Sequence, residues 1–175
     1  MPHKKTAALP TAAGDGAGAP EATQLLADDH REVHSLFERY AALAGASAGE
    51  DERGPLAEEI CTLLTVHAAI EEEIFYPAAR AAGVEGALLD EAQVEHASAK
   101  GLIAQIRDMQ ADDPLYDAKV RVLGEYIDHH VGEEENALFP RCRSAALDLQ
   151  ALGQRLAARK RELMSEMSEG MEAVE

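Results

Sequence analysis

An all-α fold, an antiparallel up-down-up-down four-helix bundle with an additional C-terminal helix, is predicted by three features of the sequence. Apolar residues recur at three- and four-residue spacings in successive segments separated by short Gly-, Pro- or Asp-rich breaks. Alanine and leucine supply much of the 46% hydrophobic content, Trp is absent and few segments are β-branched, which favours helix over strand. A His-x3-Glu pattern occurs twice, at His67–Glu71 and His130–Glu134, each time followed by an aromatic residue and a proline, so the first two helices resemble the second two.

Residues 1–21 are rich in Ala, Gly, Pro and Thr without a helical period, and read as a disordered tail that includes His3. Thr23 is the expected N-cap of a first helix over 23–43, whose inward stripe is Leu26, His30, Val33, Phe37 and Tyr40. A loop over 45–54 leads to Pro55, which suits the first turn of a second helix over 55–82. Its stripe is Ile60, Leu63, Leu64, His67, Ile70, Glu71, Ile74 and Phe75, and Pro77 predicts a kink. Helix three is expected over 87–109, with Leu88, Leu89, Ala92, His96, Ala99 and Ile103 on one face. Helix four starts at Asp112-Asp113-Pro114 and runs to Arg143 with a second kink at Pro140. A fifth amphipathic helix over 147–167 ends in frayed residues. The domain organisation expected is a tail (1–21), a bundle (22–145) and a C-terminal helix with a frayed end packed on the bundle (146–175).

The 175 residues suffice for one domain with its own core. A formal net charge of −17 argues against nucleic acid and anionic membranes, whose phosphates would be repelled. No secretory apolar run and no membrane-spanning stretch occurs, and Cys61 and Cys142 lie on separate helices without a paired-cysteine motif. A cytoplasmic, reducing location is expected, and a monomer is compatible with the sequence.

Four residues along a helix are ~400° of rotation, so each His-x3-Glu pair shares a face about 6 Å apart along the axis. His67 lies among Ile60, Leu63, Leu64 and Ile74, which turns Glu71 inward as well. An unpaired buried carboxylate costs several kcal/mol, and a bound cation removes that cost. Helix four offers two registers, His129–Glu133 and His130–Glu134. His130 shares its face with Leu123, Tyr126, Ile127, Ala137 and Leu138, and it alone keeps the ten-residue offset to the proline, so His130 is chosen. With His30 and His96 from helices one and three, four imidazoles and two carboxylates face one axis. They exceed what one tetrahedral zinc accepts and suit two adjacent ions, each with two imidazoles, bridged by the carboxylates; iron, manganese and zinc fit such donors. His34, one turn beyond His30, is a further candidate ligand; His129 and Tyr126 are candidates for a supporting or solvent-facing position. Glu72, Glu73 and Glu135 are expected in solvent, from where they could orient ligand imidazoles.

Asp28-Asp29-His30-Arg31-Glu32-Val33, His67 through Pro77, Glu95-His96-Ala97-Ser98-Ala99-Lys100 and His129 through Pro140 together resemble the hemerythrin-like, HHE cation-binding domain family of the bacterial type. The resemblance extends into 149–163 and implies a four-helix bundle with a non-haem di-iron centre, bridged by carboxylates and an oxo or hydroxo species. It implies His30, His67, Glu71, His96, His130 and Glu134 as ligands of two iron ions, with Mn or Zn as weaker alternatives. Where oxygen-carrying hemerythrins place a second histidine on the third helix, this chain has Lys100, so a sensor, scavenger or iron-handling role weighs against simple oxygen carriage. The function expected is binding of O2, NO or a related small oxidant by a carrier, sensor or scavenger rather than an enzyme. The alternatives are a di-iron enzyme acting on peroxide or nitric oxide, and an iron storage or delivery protein.

Overall fold

The computed structural model describes residues 18–46 and 49–172, with side chains to 170. The first seventeen residues of the expected tail and the last three of the expected frayed end lie outside the described residues. The rest forms α1 (Ala22–Gly45), α2, α3 (Gly86–Arg107), α4 and α5 (Leu149–Glu172). α2 runs over Glu50–Ile70, passes through a π-helical turn at Glu71–Phe75 and continues as Tyr76–Ala81. α4 repeats that build, with Tyr116–Glu133, a π-helical turn at Glu134–Leu138 and Phe139–Ser144. Among the described residues no helix is long and apolar enough to cross a membrane.

The buried side chains fall into two apolar clusters, and their order along each helix gives the topology. One cluster contains Leu26, Phe75, Leu89 and Phe139. The other contains Val33, Ile60, Ile103 and Leu123. α1 and α3 run from the first cluster to the second, while α2 and α4 run from the second to the first. That is the up-down-up-down bundle, with α1 against α2 and α4, and α3 against α4 and α2. Between the clusters each helix contributes polar residues at the same level: Asp29 and His30, His67 and Glu71, His96, and His130 and Glu134 are all buried.

Several boundaries differ from expectation. α1 begins one residue before Thr23, because the Glu21 carboxylate accepts from the backbone N–H groups of Thr23 and Gln24 at 3.0 Å each and acts as the cap. Thr23 is buried inside the first turn, where its hydroxyl accepts from Arg143 Nε at 3.1 Å. The expected 45–54 loop is shorter, since α2 starts at Glu50 with Glu50, Asp51 and Glu52 in a first turn whose exposed N–H groups favour acidic side chains. Pro55 consequently lies one turn inside. α4 starts at Tyr116 rather than at Asp112, because 111–115 form turns in which Asp113 Oδ2 accepts from Gln110 N at 2.8 Å. Pro77 and Pro140 produce π-helical turns just upstream: the N–H groups of Tyr76 and Phe139 reach back five residues to the carbonyls of Glu71 and Glu134. At the end of α2, Gly83 adopts φ +81°, and the N–H of Val84 reaches the Ala79 carbonyl while that of Gly83 reaches Arg80. This left-handed C-terminal motif suits glycine.

α5 lies across α1, α2 and the first π turn, with Leu152 and Leu156 buried. It comes close to the start of α1 at Gly153, where an added Cβ would stand 2.1 Å from the Pro20 carbonyl oxygen and 2.9 Å from Ala22 N. Both are backbone atoms and cannot swing aside. G153A is therefore expected to lift α5 from the start of α1 and to destabilise the chain by about 1–3 kcal/mol, read by thermal or urea unfolding. An unfolding midpoint equal to that of the wild type would contradict this packing.

Candidate metal centre

Four imidazoles and two carboxylates meet in the polar layer. His30 Nε2 lies 3.2 Å from His67 Nε2, and His96 Nε2 lies 3.1 Å from His130 Nε2. Glu71 Oε2 is 3.3 Å from both His67 Nε2 and His96 Nε2. Glu134 Oε2 is 3.3 Å from His30 Nε2 and 3.5 Å from His130 Nε2. Two overlapping donor sets result: His30, His67, Glu71 and Glu134 in one, and Glu71, His96 and His130 in the other. Glu71 belongs to both.

The outward face of each ring explains why the Nε2 atoms point inward. His67 Nδ1 meets Asp29 Oδ2 at 3.3 Å and His130 Nδ1 meets Glu95 Oε2 at 2.7 Å. His96 Nδ1 meets Glu72 Oε1 at 3.0 Å and His30 Nδ1 meets Glu135 Oε1 at 2.8 Å. A carboxylate can only accept, so each Nδ1 carries a hydrogen and each Nε2 is left to accept a proton or a cation. The four contacts obey the sequence repeat: the acidic residue before each helix-one or helix-three histidine, and the one after each inward glutamate, serves an imidazole on a neighbouring helix. Glu72 and Glu135 therefore orient imidazoles, whereas Glu73 faces outward and pairs with Arg159 at 2.8 Å.

Two buried oxygens, Glu71 Oε1 and Glu134 Oε2, make no hydrogen bond. Native interiors rarely leave a carboxylate oxygen in that state. Neutral imidazoles with Nε2 lone pairs facing each other at 3.1–3.2 Å would also repel. Positive charge at the centre answers both problems, and the donor set fits a hard to intermediate divalent cation. In the cation-free chain protons supply part of that charge. Burial alone would pull the His67 imidazole down, but Glu71 and Asp29 outweigh it and push it up to about 10. Burial raises and the His67 and His96 imidazoles more strongly lower Glu71, which stays well below the usual carboxylate range.

Tyr76 also belongs to this centre, and the sequence reading gave it no role. It is buried, and its hydroxyl donates to Glu134 Oε1 at 2.8 Å and stands 3.3 Å from His96 Nε2. Burial and the two glutamates push the phenol well above its ordinary range. On an ideal helix Tyr76 would lie ~140° from Glu71; the π turn places one extra residue between them and returns the phenol to the same face. Its sequence signal was its position, an aromatic residue immediately before Pro77, where the second half has Phe139. Phe139 cannot donate, and stacks on the His30 ring at 5.8 Å between centroids. Y76F is expected to keep the metal stoichiometry but weaken retention about tenfold in chelator competition, as loss of an outer partner commonly does. Retention equal to that of the wild type would leave the hydroxyl without a role at the centre.

The remaining candidates lie apart. His34 is 58% exposed and faces Asp128 at 3.3 Å, so the structure does not bring it to the other imidazoles. Its ring lies on the solvent side of α1, and Lys100, the matching position on α3, pairs with Glu72 at 2.6 Å. His129 is exposed, with Glu95 and Glu133 each 3.5 Å away, in a smaller outer cluster. Tyr126 is exposed at 45%, because its position on α4 turns away from the bundle axis shared by His130.

Comparison with known proteins bears on the same residues. A curated relative described as a DNA nickase, from Nostoc sp. (strain PCC 7120 / SAG 25.82 / UTEX 2576), is 30% identical over 116 residues. Those residues are 66% of this chain and 32% of the relative, so the chain spans about a third of that protein's length. The crystal structure of a hemerythrin HHE cation binding domain-containing protein, the Rv2633c homolog from Mycobacterium kansasii, superposes with a TM-score of 0.70. It is 23% identical, and the match covers 84% of this chain and 89% of that one, which supports the bundle fold. The model of the hemerythrin HHE cation binding domain matches residues 21–142, a stretch that contains all four central histidines and both inward glutamates, and the chain belongs to that family.

Proposed function

We propose that the chain is a di-iron protein that binds O2, NO or a related small oxidant at a carboxylate-bridged centre. His30 and His67 would hold one ion and His96 and His130 the other, with Glu71 and Glu134 each reaching an imidazole of both pairs. The observation that carries the reading is the pair of buried, hydrogen-bond-free oxygens of Glu71 and Glu134 amid four inward Nε2 atoms. Iron held by these donors would supply redox change and affinity for a diatomic ligand. The chain supplies orientation, through four Nδ1–H contacts to carboxylates, and a hydrogen-bond donor to Glu134 in Tyr76. It also supplies an apolar approach. A small cavity beside the imidazoles is walled mainly by apolar side chains, among them Val33, Leu64, Ala68, Ile103 and Ile127, with Asp29 and Lys100 also in its lining. Such walls suit an uncharged molecule of a few atoms and disfavour charged or bulky ones. The net charge of −17 opposes a nucleic-acid partner.

The test is metal analysis and absorption spectroscopy after iron-supplemented expression. About two iron ions per chain are expected, matching the two donor sets, with spectra that change when O2 or NO is added to anaerobically prepared ferrous protein. Metal content near zero would overturn the reading. Catalytic loss of peroxide by the iron form would favour the enzyme alternative, and many ions per chain would favour storage.

A further inference from the structure

We propose that Lys160, on the C-terminal helix outside the stretch matched by the family model, is a positioning residue for the centre that acts on His67 through Asp29. The proposal rests on reading the centre as a metal site. Lys160 Nζ donates to Asp29 Oδ1 at 2.6 Å, and the other oxygen of that carboxylate meets His67 Nδ1 at 3.3 Å. The contact is not an ordinary surface pair, since the Lys160 side chain is 26% exposed and that of Asp29 10%. α5 is held in place by Leu152 and Leu156 and by the close approach at Gly153, so the lysine is delivered from a docked helix.

The chemistry is orientation. A carboxylate fixed at one oxygen presents the other in a defined direction, and an imidazole fixed at Nδ1 aims Nε2 at the centre. The ammonium also has an opposing effect, because it draws charge from Asp29 and weakens the pull on the His67 Nδ1–H. Orientation is the larger effect: at 3.3 Å the Asp29 contact is the longest of the four Nδ1 contacts, the others being 2.7, 2.8 and 3.0 Å, so it is the one that most depends on its carboxylate being held in place. At the matching residue of the second half, Glu95 Oε1 faces the exposed His129 at 3.5 Å instead of a lysine; the lysine near that pair, Lys100, backs Glu72 on His96 from α3 itself. Loss of Lys160 should therefore loosen one cation position, the one served by His30 and His67, and leave the other as it was.

The experiment compares the full-length wild type with K160M, K160R and E73Q after anaerobic loading with ferrous ion, and follows extraction by a chromophoric ferrous chelator. E73Q breaks the neighbouring Arg159–Glu73 contact of α5 without touching Asp29. K160M is expected to keep the wild-type iron content but release one of its two equivalents about tenfold faster. K160R should stay close to the wild type, and E73Q should release iron at the wild-type rate. Unchanged release by K160M, equal acceleration in both equivalents, or the same acceleration in E73Q would overturn the proposal. A wild type that takes up no ferrous ion sinks the metal-site reading instead. The Lys160–Asp29–His67 contact is then read in the metal-free chain from solvent exchange of the His67 Nδ1–H, which K160M should speed and E73Q should not; equal exchange rates would overturn it.

Discussion

E71A and E134A proteins should each retain less than about a tenth of the wild-type metal. The expectation follows from geometry. One oxygen of Glu71 lies 3.3 Å from both His67 Nε2 and His96 Nε2, and one oxygen of Glu134 lies 3.3 Å from His30 Nε2 and 3.5 Å from His130 Nε2, so each carboxylate reaches an imidazole of both pairs. Removing either takes a donor from both positions and leaves two imidazoles facing a space without compensating negative charge. Metal analysis of the two purified variants, with circular dichroism to establish that both are folded, reads the effect. Wild-type metal content in either variant would contradict the place of its carboxylate between the two positions.

Removal of the cation should cost the wild type much of its stability, with a fall in Tm of about 10 °C. Binding that stabilises the native state by about 4 kcal/mol at a thousandfold excess over Kd shifts a domain of this size by about 2–4 °C per kcal/mol. The metal-free chain keeps a partial substitute in the charged His67–Glu71 pair, whose pH dependence has a definite sign. The His67 pKa is raised from 6.5 to about 10, so its contribution is complete below 6.5 and is lost as pH rises through 10. The Glu71 pKa is lowered from 4.5, so its contribution is present above 4.5 and is lost only as pH falls through its depressed native value. Metal-free protein should thus weaken steeply in alkali, while metal-loaded protein, whose His67 is already held by the cation, should change less. An E71M substitution removes the partner of the charged His67 as well as a metal donor, so metal-free E71M should be less stable than the metal-free wild type at neutral pH, by about 3 kcal/mol. Metal-free E71M as stable as the metal-free wild type would show that the pair contributes nothing to the cation-free fold.

The bundle and the central six side chains were readable because they depend on one helix at a time. Periodicity puts His30, His67, His96 and His130 on inward faces, and the neighbours of His130 separate it from His129, which the structure leaves exposed. Features that depend on two helices were less visible. Which carboxylate meets which Nδ1 is set by the mutual rotation of neighbours, so Glu72, Glu73 and Glu135 were alike as outer partners in the sequence, and the structure separates Glu72 and Glu135, each on an imidazole, from Glu73 on Arg159. The π turns also broke the 100° rule on which face assignments rest, and so hid Tyr76. The contact of Lys160 with Asp29 spans 131 residues and depends on how α5 docks, which no local pattern encodes. Helix ends moved by a few residues where a side chain supplied a cap that composition did not single out, as Glu21 did in place of Thr23.

Crystals of the iron-loaded protein, measured on either side of the iron absorption edge, should show two anomalous peaks inside the bundle, one between His30 and His67 and one between His96 and His130, with Glu71 between them. No internal peak, or iron confined to the outer cluster of Glu95, His129 and Glu133, would contradict the di-iron centre.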